Sequence, residues 1–449
     1  MDFIEKFRES VKIPTWWPPA AQTGNAEAEA SLLRFQEFLA EQFPVFHKTA
    51  ERWTLNPYAL VYRMAGTGSA QTADADSSNA VLFLAHYDVV PAETEKWNVG
   101  PFSAEMKDAY IYGRGTLDMK GILIGIMEAA ENLCLAGWKP QRDIWFAFGG
   151  DEERTGLQGA METVKWFEQR GQRFAWILDE GTPIAENQIK GIDFPLALVS
   201  IEEKGFLSLD LTVEQEPGHA SRPPRIQAAA ILGRALCRIA KKPFPFKLSR
   251  TVETFFRQIA PFMPGIQGFV MRHCRGLGPL FFKLAASNPA IEAMIRTTVA
   301  MTQLEGSAAD NVLPSEVRAV LNLRLLWPWT TEKAMDFIKK AINDKRVKVS
   351  VHGLGTNPVP SSGGWQNNGW QYIQAALKEA WPGITPFPFI MVATTDSRHY
   401  EKQTGGIFRF SPHKLDPHEL GGVHGHDERI SEENLRRGLA FYTTLLRSL

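Results

Sequence analysis

Imidazoles and carboxylates gather in this sequence at the ends of apolar runs. Val81-Leu82-Phe83-Leu84-Ala85 leads into His86-Tyr87-Asp88, whose histidine and aspartate, two apart, share one side of an extended chain. Residues 143–148 lead into Asp151-Glu152-Glu153, and residues 174–178 into Asp179-Glu180-Gly181. Asp118 ends a Gly-Arg-Gly-Thr-Leu-Asp stretch that enters a helix, and His424 stands in Val423-His424-Gly425-His426-Asp427-Glu428. Each has an ordinary reading: a core histidine satisfied by Asp88, a helix cap at Asp118, a solvated acidic turn at the positive end of a helix. Their recurrence argues against it, because a carboxylate is costly to bury unless it is paired or binds metal. Nitrogen and oxygen donors without thiolate suit zinc or a neighbouring divalent ion. Five ligands would crowd one catalytic zinc; they suit two ions about 3.5–4 Å apart that share a carboxylate and activate water.

Such residues need a scaffold that brings separate strand ends together. The runs 81–85, 143–148 and 174–178 are short and uninterrupted, as strands covered on both faces are. A helical stretch at 26–42 precedes them, and others, up to about 136 and from near 156, separate them. The expected fold class is therefore α/β, with a mixed, largely parallel sheet and helices on both faces; ligands bind beyond the carboxyl ends of such strands. From about residue 205 the pattern alternates apolar and polar, the mark of strands with one solvated face. Strand, helix (226–240), strands (297–305 and 317–326), helix (331–342) and strand (347–351) give the split βαβ pattern of a small α+β domain. Chemistry-bearing segments resume after it, so it is an insertion: a catalytic domain over 1–204 and 355–449, and an inserted domain over 205–354. Residues 244–295, rich in Phe and Leu and broken by Pro and Gly, read as short apolar helices, either plain core or the lining for an apolar ligand. A rigid turn is expected from Pro14 to Pro19 and a surface loop from Gly66 to Asn79, with further strands at 388–392 and 407–410 and helices at 370–380 and after Ser431.

A chain of 449 residues exceeds one hydrophobic core, in keeping with two domains. A net charge of -1 gives no case for nucleic acid or an anionic membrane as partner. No run approaches the roughly 18 apolar residues of a membrane span. Three scattered cysteines form neither a disulfide framework nor a thiolate zinc site. The opening residues lack a basic stretch followed by an apolar one, so the expected location is the cytoplasm. The 13 Trp and 28 Phe are a heavy aromatic load, some of it expected at a pocket or interface.

In order, H-Y-D-V-V-P, G-R-G-T-L-D-M-K-G, G-G-D-E-E, L-D-E-G and V-H-G-H-D-E-R-I resemble the co-catalytic zinc peptidases, the family of aminoacylase, acetylornithine deacetylase, succinyl-diaminopimelate desuccinylase and carboxypeptidase S. The resemblance covers nearly the whole chain. The apolar stretch after His219, with the run from Arg296-Thr297-Thr298 to Asn311-Val312-Leu313-Pro314, is most similar to the carboxypeptidase S and N-acyl-amino-acid hydrolase branch. It implies two zinc ions, with cobalt or manganese as substitutes: His86 and Asp179 on one, Glu153 and His424 on the other, Asp118 bridging. Asp88 would orient His86, and Glu152 would be the general base. By its place in the motif His424, rather than His426, is the ligand. His219 would reach the scissile carbonyl, often across a homodimer built through the inserted lid domain. Asn311, Arg324 and Arg398 would hold the substrate's carboxylate and carbonyl, although Arg324 also reads as an ordinary strand-surface arginine. The implied reaction cleaves an amide next to a free C-terminal carboxylate in a small peptide; hydrolysis of N-acyl amino acids, including long-chain ones, is the alternative. Two other classes, a metal-binding protein without catalysis and a metal-dependent phosphoesterase, share this donor set; an intact Glu152 opposes the first.

Overall fold

Val81–His86 and Ile144–Gly149 are buried along their whole length, as runs without a polar break require. They lie parallel with His86 level with Gly149, so the histidine and the acids after Gly149 emerge at one sheet end. This computed structural model describes residues 1–17, 25–68, 79–186, 192–361 and 364–449. The far end of the expected Pro14–Pro19 turn and most of the Gly66–Asn79 loop lie outside them. The chain divides into two compact units, one of Met1–Ile201, Ser361–Phe389 and Thr395–Leu449, the other of Glu202–Pro360 and Ile390–Thr394.

The first unit is built on an eight-stranded sheet, which runs across as Glu51–Asn56, Ala59–Met64, Ile144–Gly149, Val81–His86, Trp176–Ala185, Ile407–Leu415, Leu196–Glu203 and Pro386–Met391. The four strands from Ile144–Gly149 to Ile407–Leu415 are mutually parallel. An antiparallel hairpin extends one side, and Leu196–Glu203 pairs antiparallel on the other. Neighbouring strand residues point to opposite faces. Trp145 packs on Trp166 and Phe167 of helix Ala160–Glu168, while Phe146 packs on Phe46 of helix Pro44–Thr49, so helices cover both faces. The α/β expectation with a largely parallel sheet holds. No helix among the described residues is long and apolar enough to cross a membrane.

One boundary differs where it matters. The strand expected to stop at Leu178 runs on as Trp176–Ala185, straight through Asp179, Glu180 and Gly181. Its partner Ile407–Leu415 also runs past the expected end at Phe410 and keeps the pairing alive. The register slips there: Arg409 pairs with Asp179 and Phe410 with Thr182, which leaves Glu180 and Gly181 as a bulge. Bulges beside functional sites re-aim side chains.

The opening residues are stitched onto this sheet. Lys120 is fully buried and its Nζ donates to the carbonyls of Ser10 (3.0 Å) and Ile13 (2.7 Å). Val89 N donates to Thr15 O at 3.0 Å, and the Thr15 hydroxyl donates to Tyr87 O. Residues 3–15 therefore brace the loops that follow His86 and Asp118.

The second unit holds a four-stranded antiparallel sheet in the order Thr298–Glu305, Glu316–Leu325, Gly205–Glu214, Lys348–Val351. Leu207, Leu209, Leu211 and Val213 alternate with solvent-side residues and meet helices Ala228–Lys241 and Thr331–Ile342 in one core. Residues 244–295 fold as short helices, Arg250–Ile259, Gly265–Arg272, Gly278–Ala285 and Pro289–Ile295, as their Phe- and Leu-rich, Pro-broken composition implies.

At the bulge, a Cβ on Gly181 would lie 2.4 Å from the Arg409 carbonyl carbon. Gly181→Ala must push the two strands apart, an overpacking cost of about 1–3 kcal/mol. A lowered Tm, together with weaker metal binding because the bulge adjoins the Asp179–Glu180 pair, is the expected result in thermal melts and metal titrations.

Candidate metal centre

The last residue of Val81–His86 opens the site. His86 is buried, and its Nδ1 lies 2.9 Å from the backbone carbonyl of Asp88 and 3.4 Å from Asp88 Oδ1. A carbonyl only accepts, so Nδ1 must donate there, which leaves Nε2 as the nitrogen able to bind a cation. Nε2 faces Asp118 Oδ1 at 2.9 Å and Glu180 Oε1 at 3.4 Å. The other oxygen of Asp118, Oδ2, lies 3.0 Å from His424 Nε2, which is 3.1 Å from Glu153 Oε1. Two donor groups result, His86–Asp118–Glu180 and Asp118–Glu153–His424, each with its ligand atoms within 4.8 Å of one another, and Asp118 belongs to both. The helix-cap reading of Asp118 fails: helix Lys120–Leu135 begins after Met119 with no side-chain cap. His426 belongs to neither group.

Two residues sit differently from the sequence expectation. Asp179, expected as a ligand, turns its oxygens to backbone donors: Oδ1 accepts from Glu180 N at 2.9 Å and Oδ2 from Ser397 N at 2.8 Å. Glu180 takes the place beside His86 and Asp118. The strand bulge is the physical reason, since it breaks the simple in-out alternation at this pair. The L-D-E-G motif offered two adjacent acids, and nothing in its residue types separates them. Arg398, expected with Asn311 and Arg324 to hold the substrate's carboxylate and carbonyl, has a side chain only 6% exposed and turned to protein groups. Its Nη1 donates to Thr395 O (2.6 Å) and lies 3.5 Å from Glu152 Oε1, and its Nη2 donates to Thr155 O (2.9 Å). Its fork thus binds two carbonyls and steadies Glu152.

Two buried carboxylates tie the ligand loops together. Asp88 accepts from Glu152 N (3.2 Å) and Glu153 N (3.1 Å), which locks the turn carrying both glutamates to the loop after His86. Glu428, absent from the sequence-derived set, does the same for the other pair of loops. Its Oε2 accepts from Arg114 Nη1 (2.7 Å) and Gly115 N (3.2 Å), and its Oε1 from Leu117 N (2.8 Å) and Asp118 N (3.3 Å). Arg114 also donates to His424 O at 3.3 Å. The signal was present in V-H-G-H-D-E-R-I, where an acid follows the histidine by four residues.

Burial and crowding set the electrostatics. Glu180 is pushed up to about 8, by burial and then by Asp118. Glu152 is raised well above the carboxylate range by burial and by Asp396, Glu180 and Glu153, against the pull of His86. Asp118 goes down despite its burial, held ionised by hydrogen bonds from His424 and His86. The same contacts with Asp118 and Glu153 carry His424 up to about 10. Only positive charge placed among these groups lets all the carboxylates ionise together. The donor chemistry, imidazole and carboxylate around a shared aspartate, fits a pair of divalent cations.

The model of peptidase family M20/M25/M40 matches residues 82–448. This chain belongs to that family. The N-fatty-acyl-amino acid synthase/hydrolase of Xenopus tropicalis is 32% identical over 448 residues, covering 99% of this chain and 85% of its own length. A probable carboxypeptidase S-like protein of Dictyostelium discoideum is 34% identical, covering 94% of this chain and 80% of its own. Among solved structures, an M20 family metallo-carboxypeptidase from Sulfolobus solfataricus superimposes with a TM-score of 0.74 at 16% identity, covering 100% of this chain and 99% of its own. Human carnosine dipeptidase 1 does so at 0.69 and 16%, covering 100% and 96%. The two solved structures share the fold. M20 enzymes are metal-dependent peptidases and amidohydrolases, and the chain is an enzyme of that kind.

The remaining expected M20 site residues lie in the second unit. His219 pairs with Val312 across the short strands Gly218–His219 and Val312–Leu313, and Ala220 N donates to Asn311 O at 3.0 Å, so His219 and Asn311 are neighbours. The His219 ring is fixed by Ser221 N, which donates to Nδ1 at 3.1 Å. Arg324 lies on strand Glu316–Leu325 with its guanidinium 5.0 Å from the Phe206 ring centre.

Metal titrations separate the two acids of the bulge. Glu180→Gln should lose metal affinity by well over tenfold, whereas Asp179→Asn, which removes no atom from either donor group, should lose far less. Glu428→Gln should also weaken metal binding, by about 10–100-fold, the usual effect of losing a group that orients ligands. In Glu428→Gln an amide would face backbone N–H groups, and calorimetry on the metal-free protein should record a lower Tm as well.

Proposed function

We propose that the chain holds two zinc ions, with cobalt or manganese as workable substitutes, and hydrolyses an amide bond beside a free carboxylate. The carrying observation is Asp118, whose two oxygens face the two imidazoles at 2.9 and 3.0 Å. His86, Asp118 and Glu180 would hold one ion; Asp118, Glu153 and His424 the other. Ions held there would lower the pKa of water and place positive charge against the substrate carbonyl. Glu152 stands outside both donor groups yet on the same turn as Glu153, with Arg398 Nη1 3.5 Å from its carboxylate. It would take a proton from the attacking water and return it to the leaving amine.

His219 is the proposed donor to the oxygen on which charge develops. With Nδ1 accepting from Ser221, the neutral ring carries its proton on Nε2, where it can donate. One such donor contributes about 2.7–4 kcal/mol to the transition state. Asn311, beside it, and Arg324 are assigned to the substrate's carbonyl and carboxylate; an arginine fork matches a carboxylate. Thr298–Glu305 is an edge strand among the described residues and is exposed over most of its length, which supports a homodimer through the second unit.

On the acyl side a peptide is the first reading. The second, an N-acyl amino acid, is favoured by the relatives named N-fatty-acyl-amino acid synthase/hydrolase and by the apolar helices between 244 and 295. The deciding experiment runs the zinc-loaded enzyme against dipeptides, N-acyl amino acids of rising chain length, and phosphoesters. Each methylene that the enzyme buries is worth about 0.8 kcal/mol, so rising kcat/KM with chain length marks the acyl reading and a flat series the peptide one. Phosphoester turnover in place of amide cleavage overturns both. In the same assay Glu152→Gln should keep its metal while kcat falls about 10²-fold or more.

A further inference from the structure

A net charge of -1 hides a local imbalance. Between Lys242 and Arg296 there are eight Lys and Arg against two Glu, a balance of +6, so the rest of the chain carries -7. Both acids are already in ion pairs, Glu253 with Arg257 and Arg275, and Glu292 with Arg296. From 254 to 291 there is no carboxylate side chain at all.

The same stretch exposes apolar side chains. Phe262 (52% exposed), Ile266 (73%), Phe269 (58%), Leu280 (45%) and Leu284 (37%) fall within 23 residues. On helix Gly265–Arg272, Ile266 and Phe269 are one turn apart, while Gly268, Val270 and Met271 are buried behind them. On helix Gly278–Ala285, Leu280 and Leu284 share a face with Lys283 beside them, while Phe281 and Ala285 are buried. Single exposed apolar residues are ordinary, but a cluster rimmed by polar groups marks an interaction site. Short helices that show Phe, Ile and Leu to solvent, with Lys and Arg alongside and no acid, have the make-up of elements that lie in a membrane interface.

We propose that helices Gly265–Arg272 and Gly278–Ala285 form a surface that docks on an anionic lipid bilayer. The occupant follows from charge: a face with basic and no acidic side chains complements acidic headgroups, and its bare aromatic and aliphatic side chains complement the acyl boundary beneath. Docking is peripheral and independent of the active-site assignment.

The test is sedimentation of the metal-loaded full chain with vesicles of phosphatidylcholine alone or mixed with phosphatidylglycerol. Binding is expected with the mixed vesicles only, and added salt should weaken it, because the attraction acts within a Debye length. Each basic residue near such a surface contributes about fivefold, so the Arg272→Gln, Arg275→Gln, Lys283→Gln triple variant should bind about a hundredfold more weakly. Ile266→Ser with Phe269→Ser should also release the vesicles, while its Tm and metal content stay unchanged, which shows that the fold is intact. Equal binding to both vesicle types, binding to neither, or a triple variant that binds as before overturns the proposal. So does a lipid-free dimer that the Ile266→Ser, Phe269→Ser variant dissociates, since that face then belongs to a second copy of the chain.

Discussion

A half-buried carboxylate placed between two imidazoles organises this molecule. Asp118 has one oxygen on His86 and the other on His424, residues separated by most of the sequence. Such an arrangement is unfavourable in isolation, because the surrounding acids repel one another and burial penalises every charge. It persists because the backbone is committed elsewhere. Asp88 fixes the Glu152–Glu153 turn to the His86 loop through two N–H groups, and Glu428 fixes the Asp118 loop to the segment that carries His424. His86, Asp118, Glu153 and His424 are thereby placed by two acids outside both donor groups, through hydrogen bonds that depend on the fold alone.

Much of this was legible in the residues. The runs at 81–85 and 144–148 are buried on both faces because every residue in them is apolar, and parallel pairing brings their C-terminal ends level. The alternation from Phe206 to Val213 likewise predicts the half-covered sheet of the second unit. What residue types do not carry is the side to which a side chain is turned once a strand is irregular. Asp179 and Glu180 are chemically near-equivalent neighbours, and a slip of register against Arg409 and Phe410 sends them to different partners. Arg398 shows a second limit. A guanidinium suits a substrate's carboxylate or carbonyl, but residue type alone does not show that it also donates to the backbone carbonyls of Thr155 and Thr395. Whole-chain sums are limited for a related reason: a net charge near zero is compatible with strongly uneven local charge.

The two imidazoles also differ in surroundings. The His86 side chain is 1% exposed, whereas that of His424 is 50% exposed. His86 is oriented by its own neighbour Asp88, while His424 is held through its backbone, which accepts from Arg114. One half of the centre is part of the core and the other is part of the surface. Replacement of surface residues around His424 can therefore tune that half without repacking the sheet.

The bracing of the opening residues bears on where the enzyme begins as a folding unit. The match to the family model starts at residue 82, one residue into the strand that delivers His86. The physical support for that strand's far end starts much earlier, in the carbonyls of Ser10, Ile13 and Thr15. A protein trimmed to the matched segment would leave the ammonium of Lys120 buried without its two acceptors, two residues from Asp118. It would also lose the hairpin Glu51–Asn56 and Ala59–Met64, exposing one side of Ile144–Gly149. The boundary of the family match and the thermodynamic one do not coincide here. An expression fragment cut at the first would be expected to precipitate or to purify without metal, even though every ligand is still encoded in it.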